Sequence, residues 1–316
     1  MEFLNNIHLK QLFFVNLLLI ALIIEHLYLK LVSFRKNSSL DRILNSIKLF
    51  LNKKPLSINE KGVLFDVFYF CIDAYVFYIC GILGIVFGFS FIGILSKLID
   101  PIFSIQIFPL IDLGNLNIDP RMNYLIIYLL EDLIGYFAHY LTHVVPFLWK
   151  YHRFHHSAQS FCVLTARRAA IGDLLFIQFC VGIGFKIFFK MPPYETILIM
   201  LAIKTFVSMF AHSDLPWDFG IFGNILVSPR FHKFHHASNS EHLDKNFGML
   251  FSFWDIIFGT VSEEYIKDKS LADRIDLGLA HEKPIDYSFK TFIQSAFPDF
   301  TFLIKNLKNF FLTINI

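Results

Sequence analysis

The run Ala74 to Ser96 is 23 residues long and carries no charged side chain. At about 1.5 Å of rise per residue, a helix of that length crosses a hydrocarbon layer roughly 30 Å thick. A surface helix of a soluble protein keeps one polar face, and this run has none. Three other regions read the same way. Gln11 to Val32 is apolar with Glu25, His26 and Lys30 in its second half, and it continues as an uncleaved membrane helix without a small-x-small cleavage site. Met122 to His143 carries Glu131 and Asp132 near its middle. Ile171 to Lys190 and Tyr194 to Ala211 flank Pro192-Pro193, carry Lys186 and Lys204, and make either a shallow hairpin or two full spans. Composition agrees, at 55% hydrophobic, 17% charged and a mean hydropathy of +0.54.

Basic residues orient these helices. The loop Ser33 to Gly62 holds Arg35, Lys36, Arg42, Lys48, Lys53, Lys54 and Lys61, whereas the connection from Lys97 to Arg121 holds only those two. The positive-inside rule places the first loop in the cytoplasm. Counting spans then puts His139, the stretch from Trp149 to Arg168, and everything from His212 onward on the cytoplasmic face of a bacterial inner membrane or endoplasmic reticulum. The expected fold is all-α, with polytopic membrane helices and a cytosolic helical cap. A net charge of +2 gives no reason to expect nucleic acid as a partner. Cys71, Cys80, Cys162 and Cys180 form no CxxC pair and read as reduced core residues.

Of 13 histidines, nine follow one grammar. His139 and His143 form HxxxH. His152, His155 and His156 form HxxHH, and His232, His235 and His236 form it again, while His212 stands alone after the hairpin. On a helix, residues i, i+3 and i+4 fall within an arc of about 100°, so each box aims its imidazoles one way. Pro146 precedes the second box, and Ser228-Pro229 supplies a cap and first helical residue for the third. At this histidine frequency one HxxHH arises by chance in roughly two chains per hundred, so its repetition points to metal ligation. Nine converging nitrogens exceed the needs of one ion, and a His-rich di-metal site in the cap follows. His8, His26 and His281, each isolated, read as ordinary hydrogen-bonded residues.

The boxes also exclude chemistries. No HExxH is present for a zincin, and no ExxH for a carboxylate-bridged di-iron bundle. Ligands gathered on one membrane face beside long apolar helices suit a redox metal pair acting on a substrate dissolved in the bilayer. A non-catalytic or transport-type His-rich metal protein is the alternative, which would place His and Asp at bilayer depth inside transport helices.

Tyr136 to Ser157, with Pro146, Leu148, Trp149 and the first two boxes, resembles the fatty acid hydroxylase/sterol desaturase superfamily. So do His212-Ser213-Asp214, Ser228-Pro229-Arg230 before the third box, Asp244 to Gly248, and Trp254-Asp255 through Phe258-Gly259-Thr260. The resemblance spans roughly Leu129 to Thr260. It implies a His-ligated pair of iron ions (zinc being able to replace them), O₂ as oxidant, and hydroxylation or desaturation of a lipid C–H bond. Relatives often carry Asn-x-x-Thr-Ala-x-Arg-x-His-Pro after the second box; here Cys162 stands for the Asn and Ala170-Ile171 for His-Pro. Three regions follow: membrane segments and a basic loop over 1–121, a catalytic domain over 122–260, and a polar segment with an amphipathic helix (Phe300, Leu303, Ile304, Leu307, Phe310, Phe311, Ile314) over 261–316.

Around the boxes, Asp132 lies seven residues before His139, on nearly the same helix face, and is expected to support a metal-bound imidazole. Asp244 and Asn246 read either that way or as turn residues, and His242 either as a further ligand or as a surface residue. Arg167 and Arg168 read as lipid-headgroup contacts or as a basic flank. With no haem signature and no iron–sulfur spacing in the sequence, electrons are expected from a separate cytochrome b5-like protein or ferredoxin. Lys150, Arg153, Arg230 and Lys233 either steer such an acidic partner or face an anionic membrane.

Overall fold

A computed structural model describes residues 2–31, 37–103, 108–110, 112, 118–189, 194–280, 282, 285–288 and 290–291. The amphipathic helix expected over 300–314 and the Pro192-Pro193 turn lie outside the described residues. Ten α-helices are described: α1 (Glu2–Leu31), α2 (Ser39–Leu51), α3 (Ile58–Phe103), α4 (Pro120–Val144), α5 (Pro146–His156), α6 (Ile171–Phe188), α7 (Tyr194–Ala211), α8 (Pro229–His235), α9 (Phe253–Phe258) and α10 (Glu263–Lys267). Short 3₁₀ turns intervene at Val163–Arg167, Gly220–Asn224, Ser240–His242 and Lys269–Asp273. Among the described residues no strand forms, and only two isolated β-bridges occur.

Three described stretches are long and apolar enough to cross a membrane: Ile82–Asp100, Arg121–Val144 and Ile171–Phe188, with Ile199–Ala211 a shorter apolar segment. The chain is a membrane protein. α3 is far longer than its charge-free run, with 46 residues, or about 69 Å at the α-helical rise. Its N-terminal part packs against the segment that follows α4, Phe65 meeting Phe154 and Asp66 pairing with Arg168. The basic loop is not featureless either. Ser38 and Asp41 form a capping box at the start of α2, whose Ile43 and Ser46 are buried against the body.

Glycines set how closely the membrane helices approach. A Cβ on Gly88 would sit 2.0 Å from the Phe179 carbonyl oxygen, and one on Gly182 would sit 2.2 Å from that of Ile85. The α3–α6 crossing therefore brings backbone against backbone, as small residues allow where lipid offers no hydrophobic drive. α6 packs on α3 and α4, while α7 packs on α1, α8 and the 163–167 turn. The charges of α4 and α7 pair with each other: Lys204 Nζ of α7 lies 2.7 Å from Glu131 Oε2 and 3.5 Å from Asp132 Oδ1 of α4.

Candidate metal centre

Local sequence places the three histidine boxes on α4, α5 and α8. α4 stops at Val144, and Pro146 starts α5 at once, so the first two boxes face each other across one corner. The Ser228 hydroxyl accepts the Phe231 N–H at 3.1 Å and Pro229 opens α8, which is only seven residues long and carries the third box. His212 is the first residue past α7. All nine histidines converge, in two groups. His139, His143, His152, His156 and His235 form one, and His155, His212, His232 and His236 the other; within each group one ligand nitrogen per ring lies within 4.8 Å of the others. HxxHH thus divides its ligands: His155 goes to one group, His152 and His156 to the other. The third box divides too, His235 from His232 and His236.

Outer partners fix the tautomers of six of the nine rings. Nδ1 of His139 donates to the Phe247 carbonyl at 2.8 Å, and Nδ1 of His155 to that of Arg168 at 3.0 Å. His212 donates to Ser208 at 2.7 Å and His235 to Lys245 at 2.8 Å, again through Nδ1 and onto main-chain carbonyls. Two carboxylates do the same work: Asp173 accepts from His152 Nδ1 and Asp244 from His143 Nδ1, each at 3.1 Å. A carbonyl only accepts, so the proton sits on Nδ1 and the inward Nε2 carries a bare lone pair.

Those lone pairs face one another. His139 Nε2 is 3.1 Å from His152 Nε2, and His155 Nε2 is 3.2 Å from His212 Nε2. His212 is also 3.1 Å from His232 Nε2, and His155 is 3.1 Å from His236 Nε2. Two nitrogens bound to one ion at roughly 2.0–2.1 Å and near right or tetrahedral angles lie about 2.8–3.4 Å apart. The buried Nε2 atoms of His143, His156 and His235 have no hydrogen-bond partner at all. A proton is a poor substitute for a metal here. Burial, and then neighbouring imidazoles, hold His155, His156, His232 and His236 well below the usual histidine range. Burial likewise takes His212 to about 4 and His235 to about 3. Neutral rings with opposed lone pairs are what a divalent cation requires.

The other expected site residues divide. Asp244 reaches an imidazole, but Asp132 and Asn246 do not. Asp132 accepts the N–H groups of Leu250, Phe251 and the Trp254 indole at 3.1–3.2 Å. Asn246, at positive φ, bonds the Phe231 carbonyl and the Ser262 N–H. Both hold the segment after the third box in place. Asp255 joins them by accepting from the N–H groups of Phe247 and Gly248, each at 2.7 Å, and burial raises its carboxyl to about 6. Asp173, a true imidazole partner, carries no signal in the local sequence and becomes visible only once α6 is packed. His242 lies outside both histidine groups, its ring 4.7 Å from that of Phe234.

The basic residues named above are largely ion-paired within the chain. Arg168 is buried, ion-paired to Asp66 at 2.6 Å and hydrogen-bonded to Ser157 at 3.2 Å, so it meets no lipid headgroup. Arg230 pairs with Asp218 and Asp273, Lys233 with Asp214 at 2.9 Å, and Arg153 with Glu282. These partners neutralise Arg153, Arg230 and Lys233, three charges expected to steer an acidic protein, and Lys150 is not free either.

Two cavities meet the histidines from different directions. One, of about 140 Å³, lies between α6 and α7, walled by Leu174, Ile177, Leu201 and Met249, and ends on His139, His152, His155, His212 and His232. The other, of about 230 Å³, is bounded by Trp149, Asp244 and Glu282 and reaches His143, His156 and His235.

The family described as fatty acid hydroxylase matches residues 124–260, the stretch that carries every histidine of both groups. The resemblance read from the boxes holds there. Alkylglycerol monooxygenase of Danio rerio is 27% identical over 150 residues, 48% of this chain and 31% of that protein. The Caenorhabditis elegans protein of the same name is 32% identical over 136 residues, 42% of this chain and 26% of its own length. Ornithine lipid hydroxylase OlsE of Rhizobium tropici is 28% identical over 125 residues, covering 40% and 37%. The chain thus spans roughly a quarter to a third of the length of these curated relatives. No solved structure matches significantly.

Proposed function

We propose that each histidine group holds one iron ion and that the chain uses O₂ and external electrons to oxidise a C–H bond of a membrane lipid. The observation that carries this is the pair of converging lone-pair sets at the closed end of an apolar cavity. Iron bound there supplies O₂ activation, which acid–base side chains cannot provide for an unactivated C–H bond.

The protein's own part is placement. Leu174, Ile177 and Leu201 exclude water and hold an alkyl segment against His139, His152, His155 and His212. Asp173 and the carbonyls of Arg168, Phe247 and Ser208 hold the rings in one tautomer. The relatives named as monooxygenases and hydroxylases favour hydroxylation over desaturation. One oxygen atom then enters the C–H bond and the other leaves as water, consuming two electrons and two protons from outside the substrate. A cytochrome b5-like protein or ferredoxin is the proposed donor. The polar pocket at His143, His156 and His235, on the side away from the alkyl cavity, is its proposed approach, and the metal centre faces the cytoplasm.

Iron-loaded protein in lipid bilayers, given O₂ and a reduced donor, is expected to yield a lipid heavier by one oxygen atom. Metal binding without lipid-dependent O₂ consumption would overturn the oxygenase reading and leave a metal-binding or transport protein. Turnover with NAD(P)H alone would overturn the separate donor.

A further inference from the structure

The cap carries an apolar surface that its fold leaves uncovered. Ile221 and Phe222 are 78% and 60% exposed, Ile257 is 62% exposed, and Ile225, Ile256 and Phe258 are exposed beside them. The two segments involved form one unit. Leu226 and Phe251 make an antiparallel bridge, Ser252 N–H donates to the Ile225 carbonyl, and the Ser252 hydroxyl donates to that of Gly223. This unit is continuous with α4. Phe258 stacks on Tyr136 at 5.4 Å and meets Phe137 at 4.9 Å, and Phe137 and Leu141 are themselves exposed on the membrane helix. Phe137 sits seven residues inside the C-terminal end of the Arg121–Val144 span, about 10 Å along its axis.

We infer that residues 220–226 and 251–258 are seated in the hydrocarbon of the bilayer, as a re-entrant wedge against α4. A chain at that depth meets no water, so its backbone N–H groups need partners within the protein. They have them. The Phe251 N–H donates to Asp132, that of Ser252 to the Ile225 carbonyl and that of Asp255 to the Ser252 carbonyl, while those of Phe222, Ile225 and Leu226 reach the carbonyls of Phe219 and Phe222. The Trp254 indole is likewise satisfied by Asp132. The preceding turn, Phe247 to Leu250, is largely buried and held on Asp132 and Asp255. The same turn supplies Gly248 and Met249 to the wall of the alkyl cavity. The wedge therefore meets lipid tails on its exposed side and joins the cavity wall only through that turn, and its apolar face continues the exposed face of α4, which the bilayer covers.

The test reads location and not turnover, so it stands or falls apart from the oxygenase proposal. Nitroxide labels are placed at Ile221→Cys and Ile257→Cys, in a background with Cys71→Ser and Cys180→Ser, and the protein is reconstituted in phosphatidylcholine vesicles. Leu125→Cys, exposed on α4, gives the lipid reference and Lys267→Cys on α10 the aqueous one. Both wedge labels are expected to relax strongly with O₂ and weakly with a water-soluble nickel chelate, matching Leu125→Cys. Chelate access equal to that of Lys267→Cys overturns the inference. So does protection from both reagents, which would mean that a second protein surface covers the patch. Unchanged metal content in each labelled variant serves as the check that it has folded.

Discussion

The five-histidine and four-histidine groups are built from the same boxes but anchored differently. In the five-membered group, two of the outer partners are carboxylates, Asp173 behind His152 and Asp244 behind His143. In the four-membered group the outer partners found are main-chain carbonyls, of Arg168 behind His155 and Ser208 behind His212. The larger group also borders the polar pocket, whereas the smaller lies under Phe161, whose ring is 5.0–6.1 Å from those of His212, His232 and His236. A carboxylate partner raises ligand basicity and can be removed by one substitution; a main-chain carbonyl cannot. Two anchors of the larger group can thus be removed by side-chain substitution, whereas those found in the smaller group belong to the backbone.

That contrast orders the effects of substitution. The largest belong to the ligands. His155→Ala and His235→Ala are both expected to abolish lipid turnover, by more than the roughly 10–100-fold typical of an outer partner. Metal analysis separates them, because His155→Ala leaves three rings in its group and His235→Ala leaves four. The first is expected to fall to about one ion per chain and the second to retain more; equal losses would break the comparison. Next comes Arg168→Met, which strands the buried Asp66 carboxylate and is expected to cost about 3–5 kcal/mol in denaturation of the solubilised protein. A cost under about 1 kcal/mol would show that the ion pair does not brace the segment carrying the His155 acceptor. Asp173→Asn comes third, with metal affinity at the five-membered group falling about 10–100-fold, measured by competition with a chelator. Asp244→Asn is expected to do less, since Asp244 is largely exposed and water can take its place. Ser208→Ala is expected to do nothing measurable, because its carbonyl remains; a loss there like that of Asp173→Asn would refute the backbone-anchored description.

The convergence of the nine histidines was legible in the sequence because HxxxH and HxxHH are local patterns, and helical geometry converts spacing into direction without further information. The partition into two groups was not. It depends on how α5 and α8 cross, which separates His155 from its neighbours His152 and His156. Tertiary partners were harder still. Asp132 shares a helix face with His139, yet its oxygens serve a turn that lies 118 or more residues further along the chain. Arg230 and Lys233 look like free charges beside a box, but Asp218, Asp273 and Asp214 fold back to neutralise them. The charge-free run overlaps the Ile82–Asp100 stretch apolar enough to cross a membrane but understates its helix, because nothing between Ile58 and Ala74 interrupts helical geometry and α3 continues past the apolar boundary.

The opposed Nε2 lone pairs make metal supply a matter of proteostasis as well as chemistry. In an emptied chain, His139 against His152 and His155 against His212 are local conflicts in an otherwise consistent landscape. They are relieved only when a ring swings out of place. An ion that binds the folded chain and not the unfolded one shifts the balance by mass action. Its absence is expected to let α5, α7 and α8 part company more often. Amide hydrogen exchange in 229–236 is accordingly expected to quicken on chelation and slow again on adding iron. Degradation that follows the population of such openings would then clear unloaded chains first, so that a cell short of iron loses the protein itself and not merely its activity.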